Sequence, residues 1–305
     1  MVFFLEKLIF FYSYKIILYK LDMADRDADR DAGQCCLVQL ISNKASKEEI
    51  RKYLDAYPQA AAEKYSNGWT PIYIAVRNSN KKAIKMILDA HPKAATEKND
   101  YNHFPLHIAA YKKNPKVVKI ILDAHPEAAS EKDNDGWFPL HHAAKYNKNP
   151  EVVKIILDAH PQAAAGKDDI TGWFPLHNAA RYNSNPDVVK MILDAYPQAA
   201  AVKDVYGSFP LDLAKKYSSK DVIEVLESAL EKFMDNAPKE FICPITQSIM
   251  EDPVVAVDGN TYERADIVQW FEDHDTSPLT NVELESNNVV PNRALKSLID
   301  SYMGK

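Results

Sequence analysis

The sequence predicts a multidomain chain, an all-α solenoid of short repeats followed by a small α+β domain. Three observations carry this expectation. First, one stretch recurs as Asn67-Gly-Trp-Thr-Pro-Ile-Tyr-Ile-Ala, Asn102-His-Phe-Pro-Leu-His-Ile-Ala-Ala, Gly136-Trp-Phe-Pro-Leu-His-His-Ala-Ala, Gly172-Trp-Phe-Pro-Leu-His-Asn-Ala-Ala and Gly207-Ser-Phe-Pro-Leu-Asp-Leu-Ala. Its prolines, Pro71, Pro105, Pro139, Pro175 and Pro210, stand 34, 34, 36 and 35 residues apart, a period typical of stacked repeats. Second, Leu-Asp-Ala-His/Tyr-Pro keeps the same beat, ending at Pro58, Pro92, Pro126, Pro161 and Pro197. Third, both markers stop before Phe241, where a different pattern of turn and strand signals begins.

Within a repeat each element has a local cause. The recurring Pro follows a turn and suits the first position of a helix, where its missing N–H costs nothing. The Ala pairs Ala109-Ala110, Ala143-Ala144 and Ala179-Ala180 let neighbouring helices approach closely. Runs such as Val117-Val118-Lys-Ile-Ile-Leu122 then give a second helix with one apolar stripe. Neither helix can bury its face alone, so stacked neighbours must complete the core. Gly68, Gly136, Gly172 and Gly207 share one turn position with Asn102, and both residue types tolerate positive φ. The Lys-Asp pairs Lys132-Asp133, Lys167-Asp168 and Lys203-Asp204 read as solvated turn faces.

This pattern resembles the ankyrin repeat, with its turn, Thr-Pro-Leu-His-x-Ala-Ala and second helix, over residues 34–232. Phe104, Phe138, Phe174 and Phe209 replace the usual Thr, which only Thr70 keeps. Losing a hydroxyl cap would cost about 1 kcal/mol per copy before aromatic packing compensates. The family's recurring His, here His107, His141 and His177, implies hydrogen bonds across turns rather than metal binding. Trp69, Trp137 and Trp173 occupy one slot at the turn tips, filled elsewhere by His103 and Ser208. They are the candidate substrate-binding residues, since a row of exposed indoles makes a binding hot spot. The competing reading is that each indole packs on the next turn.

After the repeats, Asp221–Phe233 reads as a helix, residues 233–237 as a short linker stopped by Pro238, and residues 238–305 as the second domain. There, Asp258-Gly259 reads as a hairpin turn and Arg264–Phe271 as a helix with Ile267, Val268 and Phe271 inward. Asn292 reads as the N-cap of a final helix. Val289, Val290, Leu295, Leu298 and Ile299 read as core. Cys-Pro-Ile at Cys243, Asp-Pro-Val at Asp252, Gly-x-Thr-Tyr-Glu-Arg at Gly259, Ile-x-x-Trp at Ile267 and Pro-Asn-x-x-Leu-Lys at Pro291 occur in that order. This set is similar to the U-box, a RING-like fold without zinc, so the resemblance implies no metal and no cofactor.

What the U-box resemblance implies is a ubiquitin-protein ligase. Such a domain recruits a ubiquitin-loaded conjugating enzyme and acts by positioning and population shift, with no covalent intermediate of its own. Carried onto this chain, Ile245, Trp270 and Pro278 form the conjugating-enzyme surface. Asn281 falls where members place a side chain that bridges conjugating enzyme and ubiquitin; an amide can donate there but lacks the charge of Arg. Gln247 stands at a position often apolar in relatives. Cys243 reads as a packed thiol. The ankyrin arm would supply the protein substrate. The rival reading is a non-enzymatic ankyrin scaffold with an uncoupled U-box.

Composition bounds these readings. A net charge of -6 over 305 residues argues against nucleic acid as the main partner. Three cysteines, Cys35, Cys36 and Cys243, imply no disulfide framework and suit a reducing, cytoplasmic setting. Residues 1–33 form a distinct N-terminal segment, either membrane-associated through residues 1–22 or a gene-model extension. Val2–Leu21 is apolar but interrupted by Glu6, Lys7, Lys15 and Lys20, which suits a spanning helix poorly.

Overall fold

Each repeat proline opens a helix. The computed structural model describes residues 36–303. The N-terminal segment and its membrane reading, together with Cys35, lie outside the described residues. Among the described residues, no helix is long and apolar enough to cross a membrane. The chain forms two compact units, one running to Ala195 and the other starting at Tyr196.

In the first unit, paired helices run α1 (Cys36–Ser42) with α2 (Lys47–Ala56), α3 (Pro71–Arg77) with α4 (Lys81–Ala90), α5 (Pro105–Tyr111) with α6 (Pro115–Ala124), α7 (Pro139–Tyr146) with α8 (Pro150–Ala159), and α9 (Pro175–Tyr182) with α10 (Pro186–Ala195). The first helices of successive pairs pack on one another, as do the second helices, giving two layers. The core between them is small and aliphatic: Ala109, Ala143 and Ala179 of the first helices and Val117, Val152 and Val188 of the second are all fully buried. The second marker, Leu-Asp-Ala-His/Tyr-Pro, ends each second helix and starts a 3-10 turn such as Pro126–Ser130, whose Ala128 and Ala129 are also buried.

Polar side chains stitch neighbouring pairs. Asn147 donates to Ala110 O and Lys112 O, both at 2.9 Å, and Asn183 repeats this on Ala144 O and Asn147 O at 2.9 Å. These bonds satisfy carbonyls that the ends of α5 and α7 leave open. The turn tips are bridged by Asp100 N to Asn67 O, Asn134 N to Tyr101 O and Asp169 N to Asp135 O. Gly136 has a φ of 79°, and a Cβ there would lie 2.6 Å from Asp169 N. The glycine is needed for both conformation and close approach.

Two expectations change here. The Lys-Asp segments meet solvent only through their lysines: Lys167 and Lys203 are exposed, but Asp133, Asp168 and Asp204 are buried, and each carboxylate accepts backbone N–H groups of its own turn. Charge alone suggested solvent, whereas an Asx turn can draw the carboxylate inward. The Phe copies also keep a helix-start bond. Phe104 N, Phe138 N and Phe174 N donate to Nδ1 of His107, His141 and His177, and Phe209 N donates to Asp212. Lys98, Lys132, Lys167 and Lys203 lie over the four Phe rings at 4.7, 5.5, 5.1 and 5.2 Å. Thr70 makes no side-chain cap bond.

The second unit holds the last repeat, α11 (Pro210–Tyr217) and α12 (Lys220–Asp235), and the C-terminal domain. Helix α12 runs through Asp235, so Phe233–Asp235 of the expected linker is its last turn. Phe233 packs on Tyr302 at 5.3 Å, Phe241 packs on the same ring at 5.5 Å, and Tyr196 donates to Met303 O at 2.7 Å. The domain is a three-stranded antiparallel sheet with β1 (Pro253–Val255) central between β2 (Thr261–Glu263) and β3 (Val290–Pro291). Gly259, at φ 78°, turns the β1–β2 hairpin. Helix α13 (Arg264–Asp273) and helix α14 (Arg293–Tyr302) complete it, the latter capped by Asn292 through Leu295 N.

The small core contains Val254, Tyr262, Ile267 and Ile299. Val268, Val290 and Leu298, expected inside, are exposed. A short sheet and two short helices bury one stripe each, so alternate apolar positions stay outside.

Candidate functional site

Two loops of the C-terminal domain have one backbone design. In the first, Cys243 N donates to Ser248 O and Gln247 N to Cys243 O, both at 2.8 Å. In the second, Ser277 N donates to Val282 O at 2.8 Å and Asn281 N to Ser277 O at 2.9 Å. Each loop closes on an antiparallel bridge, Ile242 with Ile249 and Thr276 with Glu283. Each also has a left-handed residue at its end, Gln247 at φ 55° and Asn281 at φ 57°. Their sequences correspond as Cys-Pro-Ile-Thr-Gln and Ser-Pro-Leu-Thr-Asn. Pro and an aliphatic residue therefore form each tip.

Helix α13 joins the loops. Thr246 of the first donates to Asp266 at 2.8 Å, and Trp270 Nε1 donates to Thr276 O of the second at 2.8 Å. Asp266 and Trp270 are four residues apart, hence on one helix face. The loops thus flank a single face of α13, with the Trp270 ring stacked on His274 at 4.0 Å between centroids. Ile245, Trp270 and Pro278 are each half-buried around that face. Leu279, 53% exposed, extends it. Sequence reasoning passed over Leu279, although its match to Ile245 in the two loop sequences was available.

Asn281 is exposed, and its Oδ1 accepts from Thr276 at 3.5 Å. Asn is also among the residue types that enter the left-handed region most readily, so loop geometry gives a second reason for its presence. Gln247 has no such preference; its amide folds back to donate to Pro244 O at 2.9 Å.

Side chains lock each loop. Cys243 is fully buried and its Sγ accepts from Glu263 N at 3.4 Å. Glu263 Oε2 in turn accepts from Glu251 N at 2.6 Å and Asp252 N at 2.9 Å. The second loop hangs on Asp258. Its carboxylate accepts from Ser277 Oγ at 2.6 Å, Tyr262 OH at 2.7 Å and Asn260 N at 2.9 Å. Ser277 Oγ accepts from Leu279 N at 3.3 Å and Thr280 N at 3.2 Å. Partial burial pushes the Asp258 carboxyl up, but the Ser277, Asn260 and Tyr262 hydrogen bonds outweigh it and hold it below its ordinary value. Burial pushes Tyr262 up to about 12, keeping it a hydroxyl donor.

The candidate substrate-binding indoles sit differently. Trp69 and Trp173 are only 4% exposed, and Trp137 is half-buried. Each lies beside a ring of its own helix, Tyr73, His141 or His177, at 5.4, 5.9 and 6.2 Å. A cation lies near each as well: Arg77 at 5.7 Å, Lys145 at 5.0 Å and Arg181 at 5.6 Å. Trp69 and Trp173 thus pack within the arm, while Trp137 stays partly exposed. His107 and His141 donate to Trp137 O and Trp173 O at 3.3 and 3.2 Å, the cross-turn bonds expected of them.

Stacked helix pairs with bridged turn tips, joined to two matched loops around one helix, define an ankyrin-repeat protein with a C-terminal U-box. The family models agree. Ankyrin repeats (3 copies) match residues 28–130, 91–165 and 140–232, and the U-box domain matches 237–305. The chain belongs to the ankyrin-repeat family and ends in a U-box domain.

Curated relatives match through the U-box. U-box domain-containing protein 36 of Arabidopsis thaliana is 54% identical over 67 residues, 22% of this chain and 15% of the relative. U-box domain-containing protein 70 of Oryza sativa subsp. japonica is 50% identical over 70 residues, 23% of this chain and 9% of the relative. A protein of Acanthamoeba polyphaga mimivirus named "Probable bifunctional E2/E3 enzyme R795" is 48% identical over 71 residues, 23% of this chain and 5% of the relative. The chain therefore spans a small part of the relatives it matches.

Proposed function

We propose that the chain is a ubiquitin-protein ligase whose U-box binds a ubiquitin-loaded conjugating enzyme across Ile245, Trp270 and Pro278. The observation that carries this reading is the pair of matched loops with Pro-aliphatic tips, tied to one face of α13 at Asp266 and at Trp270. Partly exposed Pro and aliphatic tips beside an aromatic side chain suit a small, transient protein interface. Leu279 joins it as an exposed anchor.

In this reading the chemistry belongs to the conjugating enzyme's thioester. The U-box supplies no nucleophile, since the Cys243 thiol is fully buried and accepts a backbone hydrogen bond. Its contribution is to hold loaded ubiquitin against the conjugating enzyme so that a substrate lysine meets the thioester in a productive pose. The Asn281 side-chain amide, exposed at the edge of the patch, donates to carbonyl groups of conjugating enzyme or ubiquitin. The ankyrin arm binds the protein substrate. Because Trp69 and Trp173 pack inward, their contribution is to set the shape of the turn tips, and the half-buried Trp137 is the indole left to meet a partner.

The test is a reconstituted mixture of activating enzyme, ATP, ubiquitin and a panel of conjugating enzymes. Conjugates that form with the intact chain and disappear with Ile245→Ala or Trp270→Ala support the proposal. No conjugates with any conjugating enzyme, from folded protein, would favour the non-enzymatic scaffold.

A further inference from the structure

Three side chains of the ankyrin arm depart from the repeat pattern, and they converge. His103 fills the slot that Trp69, Trp137 and Trp173 hold in other copies. His142 fills the helical slot of Ile74, Ile108, Asn178 and Leu213, and Tyr111 fills that of Arg77, Lys145 and Arg181. Replacing a tryptophan and an aliphatic residue by two imidazoles removes apolar burial from a repeat core. Something at this junction must favour histidine.

The two rings meet on Asp133. His103 Nε2 lies 3.1 Å and His142 Nε2 2.8 Å from Asp133 Oδ2. The other carboxylate oxygen, Oδ1, accepts Asp135 N at 3.0 Å and Trp137 N at 2.9 Å, which fixes the carboxylate and leaves Oδ2 facing the rings. His103 is fixed by its backbone, where its N–H donates to Asn99 at 2.9 Å and its carbonyl accepts Tyr73 OH at 2.6 Å. His142 sits on α7, with the Tyr111 ring edge-on at 4.9 Å. The three donor atoms all lie within 4.8 Å of one another.

We propose that His103, Asp133 and His142 form a binding site for one Zn²⁺ ion, with water as the fourth ligand. Two imidazoles and a carboxylate suit zinc. Tetrahedral zinc with bonds near 2.0–2.1 Å sets its ligand atoms roughly 3.3 Å apart. The two edges at Asp133 need to open by only a few tenths of an ångström, and the two imidazole nitrogens, within 4.8 Å of each other, to settle at the same spacing. On binding, each neutral imidazole moves its proton from Nε2 to Nδ1, so the Nε2 lone pair becomes the ligand with no net proton release. The side chains of Asp133 and His142 are 2% and 6% exposed and that of His103 is 11% exposed, so the way in for ion and water is at His103. His142 Nδ1 is buried without a hydrogen-bond partner. A ligating His ordinarily donates that proton to a neighbour, and lacking one weakens binding about 10–100-fold. Micromolar rather than nanomolar affinity follows. The ion would tie the turn carrying His103 to the repeat carrying Asp133 and His142.

The test uses the full chain stripped with a chelator, then titrated with zinc against a chromophoric competitor and, separately, with Co²⁺. Expected are one zinc per chain, a Co²⁺ visible spectrum of four-coordinate intensity, and a higher melting temperature with zinc. His142→Ile installs the residue that two other copies carry, and Asp133→Asn keeps the turn's shape. Both should lose the stoichiometric zinc and the cobalt spectrum while keeping the helical circular dichroism, whereas His91→Gln, outside the cluster, keeps both. Absence of binding well above micromolar zinc would overturn the proposal, as would unchanged zinc content in folded His142→Ile.

Discussion

Replacing Asp258 by Asn tests how the second loop is held. Three donors converge on its carboxylate, two of them hydroxyls of fully buried residues, Tyr262 and Ser277. Hydrogen bonds to a charged acceptor contribute about 1.5–3 kcal/mol each. The amide keeps one acceptor oxygen, and the hydroxyls can turn to accept from its NH₂, so the loss is well below the sum. Asp258 is only partly buried, and solvent screening lowers the figure again. About 1–2 kcal/mol of domain stability should go, with Asp258→Ala costing more because both hydroxyls then lose a partner.

The effect should be local. Hydrogen-exchange mass spectrometry should show faster exchange at Asn260, Leu279 and Thr280, whose amides depend on Asp258 or on Ser277, while α5–α10 keep their protection. Unchanged exchange in the second loop, together with an unchanged urea midpoint, would refute the hub argument.

Acid should mimic that variant. The folded carboxyl of Asp258 lies below its unfolded value, so its stabilisation is complete above pH ~4 and is lost as pH falls through the folded value; exchange at Leu279 and Thr280 measured down the pH scale checks this, and Asp258→Asn should flatten the dependence. Gly136→Ala forces a side chain into φ 79° and against Asp169 N, and should lower ankyrin stability by about 1–2 kcal/mol or more in chemical denaturation. Asn147→Ala leaves Ala110 O and Lys112 O without their donor and should cost about 2–3 kcal/mol, read in the same way. Asn281→Arg adds a charged donor and should raise ubiquitin discharge, while losing about 1 kcal/mol of U-box stability because Arg enters the left-handed region less readily. Gly at that position should keep the fold and lower discharge.

The repeats were legible because each copy repeats local signals: Pro at the helix start, Gly or Asn at positive φ, and an apolar stripe on the second helix. The U-box was legible from ordered short motifs, and Asn292 from its capping chemistry. Burial in the small domain was less so. Val268, Val290 and Leu298 are apolar and still exposed, because a three-stranded sheet and two helices leave too little interior to enclose every aliphatic residue. Charge also misled at the turns, where Asp133, Asp168 and Asp204 look solvated beside lysines yet serve as buried acceptors for backbone N–H groups. The His103–Asp133–His142 cluster could not be read from spacing, since its members lie 30 and 9 residues apart and meet only when two repeats stack. A signal did exist: His103 and His142 are where the repeat pattern changes residue type.

The most direct test of the ligase reading is single-turnover discharge of ubiquitin from a preloaded conjugating enzyme onto free lysine. It needs neither substrate nor ankyrin contacts. With a conjugating enzyme that pairs with this U-box, the intact chain should accelerate discharge, and Ile245→Ala, Trp270→Ala and Leu279→Ala should each return it towards the unassisted rate while the domain stays folded. Discharge that is accelerated equally by all three variants would contradict the proposed surface, and no acceleration with any conjugating enzyme would contradict the ligase itself.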